Sequence, residues 1–286
     1  MPDLTPDRTG ELPLGGRMIH WELFGRGDRE VVCLLNGLAM STRSWYGLLP
    51  LLADELDVLL WDYPGQGESS SEDIPVLLPE IAGYLEGILD HLGLPRIHLM
   101  GISYGGFVAL EFARLLQHRL HTLTLSGILL SHERLFEMYE DLSLRFYRGG
   151  EAAFDLYTHY MYEKIFSETF VRTLTPEQLD VMRQRFFDRY AGQTHCLIRL
   201  TEAQDPFFSS LDDNLPGYRA IQTPTLILAG DQDRAIPPWV QRKLAGILPH
   251  TRFELVPDCG HVVYLERAVE FFGMLKRFAA RKSLDF

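Results

Sequence analysis

The apolar positions of this chain fall into short unbroken runs separated by longer stretches with helical spacing. Val31–Leu35 is apolar throughout, 58–62, 97–102, 225–229 and 253–256 are largely so, and Leu120–Leu125 reads as a further strand with His121, Thr122 and Thr124 among its leucines. Runs of this length without alternation predict strands buried on both faces of a parallel sheet. Between them, helical periodicity covers Ser41 to about Ala53, Ile81 to Leu92, Tyr104 to Gln117, Trp239 to Leu248 and about 264–280. Ser41 stands where an N-cap would open the first of these helices. Arg17–Phe24 alternates, which predicts a leading strand or hairpin within Leu14–Gly27. Residues 1–12 are polar and are expected to be loose.

Strand and helix alternate up to Ser126, which implies right-handed crossovers and a parallel sheet. From about 131 to 215 the periodicity is helical and no convincing strand is present; alternation resumes at Thr225. The expectation is an α/β core domain over 1–130 and 216–286, carrying a helical cap subdomain over 131–215. The cap segment holds 15 of the chain's 29 Phe and Tyr residues. Bulky rings of this kind build a small helical core, and some of them are candidates to line an apolar pocket.

Composition narrows the class. With 286 residues and 46% hydrophobic content, the chain is long enough for a large core. A formal charge of −12 is opposite in sign to that of a phosphate-tracking protein, so no nucleic-acid partner is expected. No apolar run approaches the roughly 20 residues that span a bilayer. Met1–Gly16 carries Asp3, Asp7 and Glu11 and does not read as a signal peptide. Cys33, Cys196 and Cys259 are scattered without C-x-x-C spacing, which predicts reduced thiols in a cytoplasmic protein. His118 and His121 are expected at the exposed end of a helix, and no cofactor or metal is implied.

The candidate chemistry centres on Gly101-Ile-Ser-Tyr-Gly105, between a buried strand and a helix. In a G-x-S-x-G nucleophile elbow the serine is held at the apex of a sharp turn, and the flanking glycines let strand and helix approach. Ser103 would lie beside a helix N-terminus, whose backbone N–H groups can hold a developing oxyanion. A serine hydroxyl needs an imidazole to take its proton and a carboxylate to orient that imidazole. Both are available downstream, each just after a strand: Gly230-Asp-Gln-Asp233 and Asp258-Cys-Gly-His261. That edge is where open α/β sheets place their sites.

Together the elbow, the Gly-Asp-x-Asp-x-x-x-Pro run at 230–237 and the late Gly-His resemble the α/β-hydrolase superfamily, over nearly the whole chain outside the cap. The resemblance implies Ser103 as nucleophile, His261 as base and Asp233 as the triad acid, with Asp231 the alternative acid. It implies an oxyanion hole from the backbone N–H groups of Tyr104 and Leu38. The chain departs from the commonest pattern at Asn36-Gly37, where the family usually has His-Gly; this bears on subfamily. Asp62-Tyr-Pro-Gly-Gln-Gly-Glu-Ser69 resembles a family loop and reads as turn chemistry near the site mouth.

Serine at the elbow sets the chain apart from the haloalkane dehalogenases and epoxide hydrolases of this fold, which use Asp. The leading expectation is a serine hydrolase acting on a small-molecule carboxylic ester or thioester with an apolar acyl group. The first alternative is acyl transfer to a hydroxyl acceptor. Segments 34–42 and 196–199 resemble the acyltransferase that builds hydroxyacyl-hydroxyacid lipids, and Arg183, Arg185 and Arg189 would have to form a basic patch for an acidic carrier. A C–C bond hydrolase or lactonase is the second alternative. A binding module on this fold typically loses a triad member, and none is lost here.

Overall fold

A computed structural model describes residues 5–286. Its centre is an eight-stranded sheet: β1 (Arg8–Leu14), β2 (Arg17–Phe24), β3 (Val31–Leu35), β4 (Asp57–Trp61), β5 (Ile97–Ile102), β6 (Leu120–Ser126), β7 (Thr225–Gly230) and β8 (Thr251–Val256). The spatial order is β1-β2-β4-β3-β5-β6-β7-β8, with β1 and β2 antiparallel and every pairing from β4 onward parallel. Successive residues of a strand face opposite sides. Cys33 and Leu35 therefore join a core with α1 (Leu78–Leu92) and α2 (Tyr104–Leu116), while Val32 and Leu34 join a second core on the other face.

Between β6 and β7 lie seven helices: α3 (Arg134–Arg148), α4 (Glu151–Ile165), α5 (Glu168–Val171), α6 (Pro176–Tyr190), α7 (Thr194–Glu202), α8 (Gln204–Ser209) and α9 (Leu211–Arg219). The chain then adds α10 (Pro238–Ala245), α11 (Val263–Glu266) and α12 (Ala268–Arg281), of which α12 lies against the second core. An expected boundary at 215 falls inside α9, whose Tyr218 hydroxyl donates to Glu111 on α2.

Three local expectations are corrected. The stretch 1–12 is not loose where it is described: Arg8–Leu14 pairs with β2 over seven positions, joined by Gly15 and Gly16, both at positive φ. Its first four residues lie outside the described residues. The segment after Ser41 is a 3-10 helix, Thr42–Leu51, with Pro50 inside; proline supplies no N–H for an α-helical ladder. His118 is exposed in a turn as expected, but His121 lies on β6, its ring 5.2 Å from that of His98.

His98 is buried on β5, bonded to Thr122 Oγ1 (2.8 Å) and Glu30 Oε2 (3.2 Å). Burial pushes its pKa down to about 4, against the pull of Glu30. The unfolded chain binds a proton at this histidine below about pH 6.5, and the folded protein does so only near 4, so stability falls as pH falls through that window. Between pH 7 and 4.5 the loss from this group is about 2–3 kcal/mol. Urea midpoints of wild type and His98→Gln should diverge at pH 7 and converge at pH 4.5; a constant gap would contradict the assignment.

Candidate active site

Strand β5 ends at Ser103, whose φ of 48° and ψ of −122° lie outside the regions that L-residues favour. The turn is enforced by contacts on both sides. A Cβ at Gly101 would lie 2.5 Å from the Gly105 carbonyl oxygen, and one at Gly105 would lie 2.6 Å from that of Asn36. Only glycine fits at either position, so strand and helix close up and Ser103 is left at the apex. Its own N–H donates to Ser126 O (2.9 Å), fixing the apex against β6.

The loop after β7 brings Asp233 to the same edge. Its Oδ1 accepts the N–H groups of Ala235 (2.9 Å) and Ile236 (2.8 Å); its Oδ2 accepts from His261 Nδ1 (2.9 Å) and Gln241 Nε2 (3.0 Å). A carboxylate can only accept, so the shared proton sits on Nδ1 and leaves Nε2 of a neutral His261 with a free lone pair. Asp233 and His261 are both buried. Asp231 is elsewhere employed: its Oδ1 accepts the Cys259 N–H at 3.2 Å.

Helix α2 opens at Tyr104, whose N–H has no intrahelical acceptor. The loop after β3 lies alongside, with a Cβ at Gly37 falling 3.7 Å from that of Ser103. Among the described residues neither the Leu38 nor the Tyr104 N–H donates to another group. Asn36 holds this loop from beneath. Its side chain donates to Trp61 O (3.1 Å) and Asp62 Oδ1 (3.3 Å) and accepts from Trp45 Nε1 (2.7 Å). Asp62 also takes the N–H groups of Thr42 and Glu68, and Gln66 Nε2 donates to Gly37 O. The Asp62–Ser69 loop is thus a brace for the segment carrying Leu38.

Ser103, His261, Leu38 and Tyr104 line one cavity of about 270 Å³, roofed by the helices between β6 and β7. Among the described residues no hydrogen bond joins Ser103 Oγ to His261. A sequence model of the alpha/beta hydrolase fold matches residues 30–268. The chain belongs to the alpha/beta hydrolase fold family.

Proline iminopeptidase of Lactobacillus acidophilus is 26% identical, the alignment covering 94% of this chain and 97% of that protein. The 2-hydroxy-6-oxononadienedioate/2-hydroxy-6-oxononatrienedioate hydrolase of Cupriavidus pinatubonensis is 28% identical over 91% of this chain and 90% of its own. Among solved structures, the alpha/beta hydrolase MGS-M2 from a Medee basin deep-sea metagenome library superposes with a TM-score of 0.87. It is 24% identical, and the match covers 97% of this chain and 99% of that one.

Within this alpha/beta hydrolase, seven of the fifteen aromatic residues noted in the insertion line the cavity, Phe136, Tyr139, Tyr157 and Phe186 among them. Others, such as Phe154 stacked on Phe186 at 5.7 Å, build the insertion's own core. The cavity is not apolar throughout, because Glu140, Ser143, Thr201 and Gln204 also line it. On α6, Arg183 pairs with Asp180 and Arg189 reaches Ser41 Oγ (3.2 Å).

Sequence reasoning missed Gln241. It is fully buried on α10, donates to Asp233 Oδ2 and Ile236 O (2.8 Å), and accepts the Gly127 N–H (2.9 Å). Gly127 in turn faces the His261 ring, which a Cβ there would meet at 2.6 Å. The available signal was a glutamine beside Val240 and Leu244 on the apolar face of α10. A seam also binds the insertion to the site. Ile165 O accepts the His261 N–H (2.8 Å) and Phe166 O accepts from Arg234 (2.9 Å). Ser167 Oγ donates to Glu266 (2.6 Å), and Glu168 N–H donates to Gln232 (3.0 Å).

Proposed function

We propose that this alpha/beta hydrolase is a serine hydrolase that works through an acyl-enzyme on Ser103. The observation that carries the reading is the strained Ser103 apex and His261 lining one cavity, with the buried Asp233 bonded to the imidazole from behind. His261 Nε2 takes the Ser103 proton as Oγ attacks the acyl carbonyl, and Asp233 holds the ring in the required tautomer and stabilises the imidazolium. The oxyanion is received by the N–H groups of Leu38 and Tyr104, neither of which donates to another group among the described residues. His261 then returns the proton to the leaving group, and water, activated by the same imidazole, releases the acid.

The insertion, residues 131 to 215 with α9 running on to Arg219, serves as the cap that excludes water. The preferred substrate is a carboxylic ester or thioester with a largely apolar acyl group. The cavity lies near the small end of the roughly 300–1,000 Å³ typical of ligand sites, which favours short acyl chains. Buried free thiols at Cys33, Cys196 and Cys259 fit a reducing, cytoplasmic setting.

The test is turnover of p-nitrophenyl esters from acetyl to long acyl chains, beside labelling by a fluorophosphonate. Covalent labelling of Ser103, with rates that peak at short chains and fall at long ones, is the expected result. Absence of labelling would remove the reading. Labelling without ester turnover would redirect it to thioesters and to acyl transfer.

A further inference from the structure

The cavity contains polar atoms that the proposed chemistry does not use. Glu140 Oε1 on α3, Thr201 Oγ1 on α7 and the hydroxyl of Tyr104 at the start of α2 are buried and have no hydrogen-bond partner. Three elements distant in sequence bring these residues to the wall of the cavity that holds Ser103 and His261. Buried polar atoms are nearly always satisfied, so three orphans on residues that wall one cavity point to a ligand that completes the bonding as it seats. Ser143 and Gln204 line the same cavity.

The charge around these atoms says which ligand. No ion pair involves Glu140 among the described residues. Its charged neighbours, Glu137 on α3 and Asp205 on α8, are both acidic. A carboxylate or phosphate would be repelled there. Once the carboxyl is ionised, a neutral hydroxyl would satisfy one acceptor and supply no counter-charge. An ammonium offers two or three donors and a positive charge, and the aromatic lining of the cavity, Phe107, Tyr139 and Tyr147, suits a cation as well.

We propose that Glu140, Thr201 and Tyr104 form a subsite for a primary or secondary ammonium group carried by the substrate, so that preferred substrates combine an apolar body with an amine. The substrate role rests on the reading of Ser103 as nucleophile; the binding of amines does not. Burial, followed by the fields of Asp205 and Glu137, lifts the Glu140 carboxyl to about 8 in the empty cavity. Tyr104 and Tyr147 are the other titratable groups within its field. An alkylammonium stays charged through that range, so its binding requires Glu140 to lose a proton and tightens as pH rises toward 8.

The probes are pentylamine, 1-pentanol and pentanoate, of similar length and shape. Dissociation constants are measured by ligand-observed NMR on the full chain as wild type, Glu140→Gln and Thr201→Val, with fluorophosphonate labelling read in the same samples. Wild type should bind pentylamine about tenfold or more tighter than pentanol at pH 8.5, with pentanoate weakest. That preference should shrink by about tenfold at pH 6.5, while pentanol binding stays level. Glu140→Gln keeps the shape of the side chain and should abolish the preference, and Thr201→Val should weaken amine binding about threefold. Equal binding of amine and alcohol by wild type, or a preference that survives Glu140→Gln, overturns the subsite. Labelling of Ser103 without an amine preference overturns the subsite alone. An amine preference without labelling supports the subsite and overturns the nucleophile reading.

Discussion

Ser103→Gly is expected to lose about a millionfold in kcat and all fluorophosphonate labelling, yet to be more stable than Ser103→Ala. Neither variant has a nucleophile, so both fall to the residual catalysis of the oxyanion hole and binding. Their stabilities differ because of the backbone. At most positions glycine is less stable than alanine by about 0.5–1 kcal/mol, through the greater freedom of the unfolded chain. At φ 48° and ψ −122° the order reverses, because a Cβ there carries strain of about 1–3 kcal/mol that only glycine relieves. A net advantage of about 1 kcal/mol, read as a Tm roughly 2 °C above Ser103→Ala, is the expected outcome. If alanine proves the more stable, the apex is unstrained and the elbow geometry is wrong.

Asp233→Asn should lower kcat about ten-thousandfold with little change in KM, while Asp231→Asn stays within a few-fold of wild type. The hydrogen bonds dictate the asymmetry. The N–H groups of Ala235 and Ile236 both require an oxygen at the Oδ1 position, so the new amide must place its NH2 where Oδ2 was. That NH2 then faces two donors, Gln241 Nε2 and His261 Nδ1–H. Gln241 cannot flip without abandoning the Gly127 N–H, so His261 yields. Its proton moves to Nε2, and the lone pair needed to activate Ser103 is gone. Asp231 offers one oxygen to one N–H, a role that an asparagine oxygen can fill. The contrast is read from steady-state kinetics on any accepted ester and from the labelling rate. Equal losses in both variants would sink the assignment of Asp233.

What was legible in the chain was local. The buried strands β3, β4 and β7 are apolar or nearly so along their length, and the elbow carries its own explanation in Gly101 and Gly105. Strand β1 was not legible, because Arg8-Thr-Gly-Glu-Leu-Pro-Leu14 has little strand propensity. Its conformation comes from pairing with β2 across the Gly15-Gly16 turn. The 3-10 winding after Ser41 depended on weighing Pro50, which a hydrophobic pattern overlooks. In the site, residues bound to a motif could be named, and those defined by convergence could not. Gln241 matters only because α10 turns it toward Asp233. Glu140 and Thr201 stand 61 residues apart and meet only through the packing of α3 and α7.

The seam at 165–168 limits how the site can open. Lifting the insertion as one rigid piece would break the bonds from Ile165, Phe166, Ser167 and Glu168 together, at about 1 kcal/mol each and more for the charged partners. It would also pull on the His261 backbone through the bond to Ile165 O. The opposite side is held more lightly. Helix α6 buries only Tyr190, yet Met182 and Phe186 on it form part of the cavity wall. On the function proposed above, a swing of α6 about an anchored α4–α5 corner is the opening that leaves these bonds intact, on the microsecond-to-millisecond scale of such lids. Turnover limited by that swing would respond to substitutions on α6 far from Ser103, and the geometry of the base would be preserved throughout each cycle.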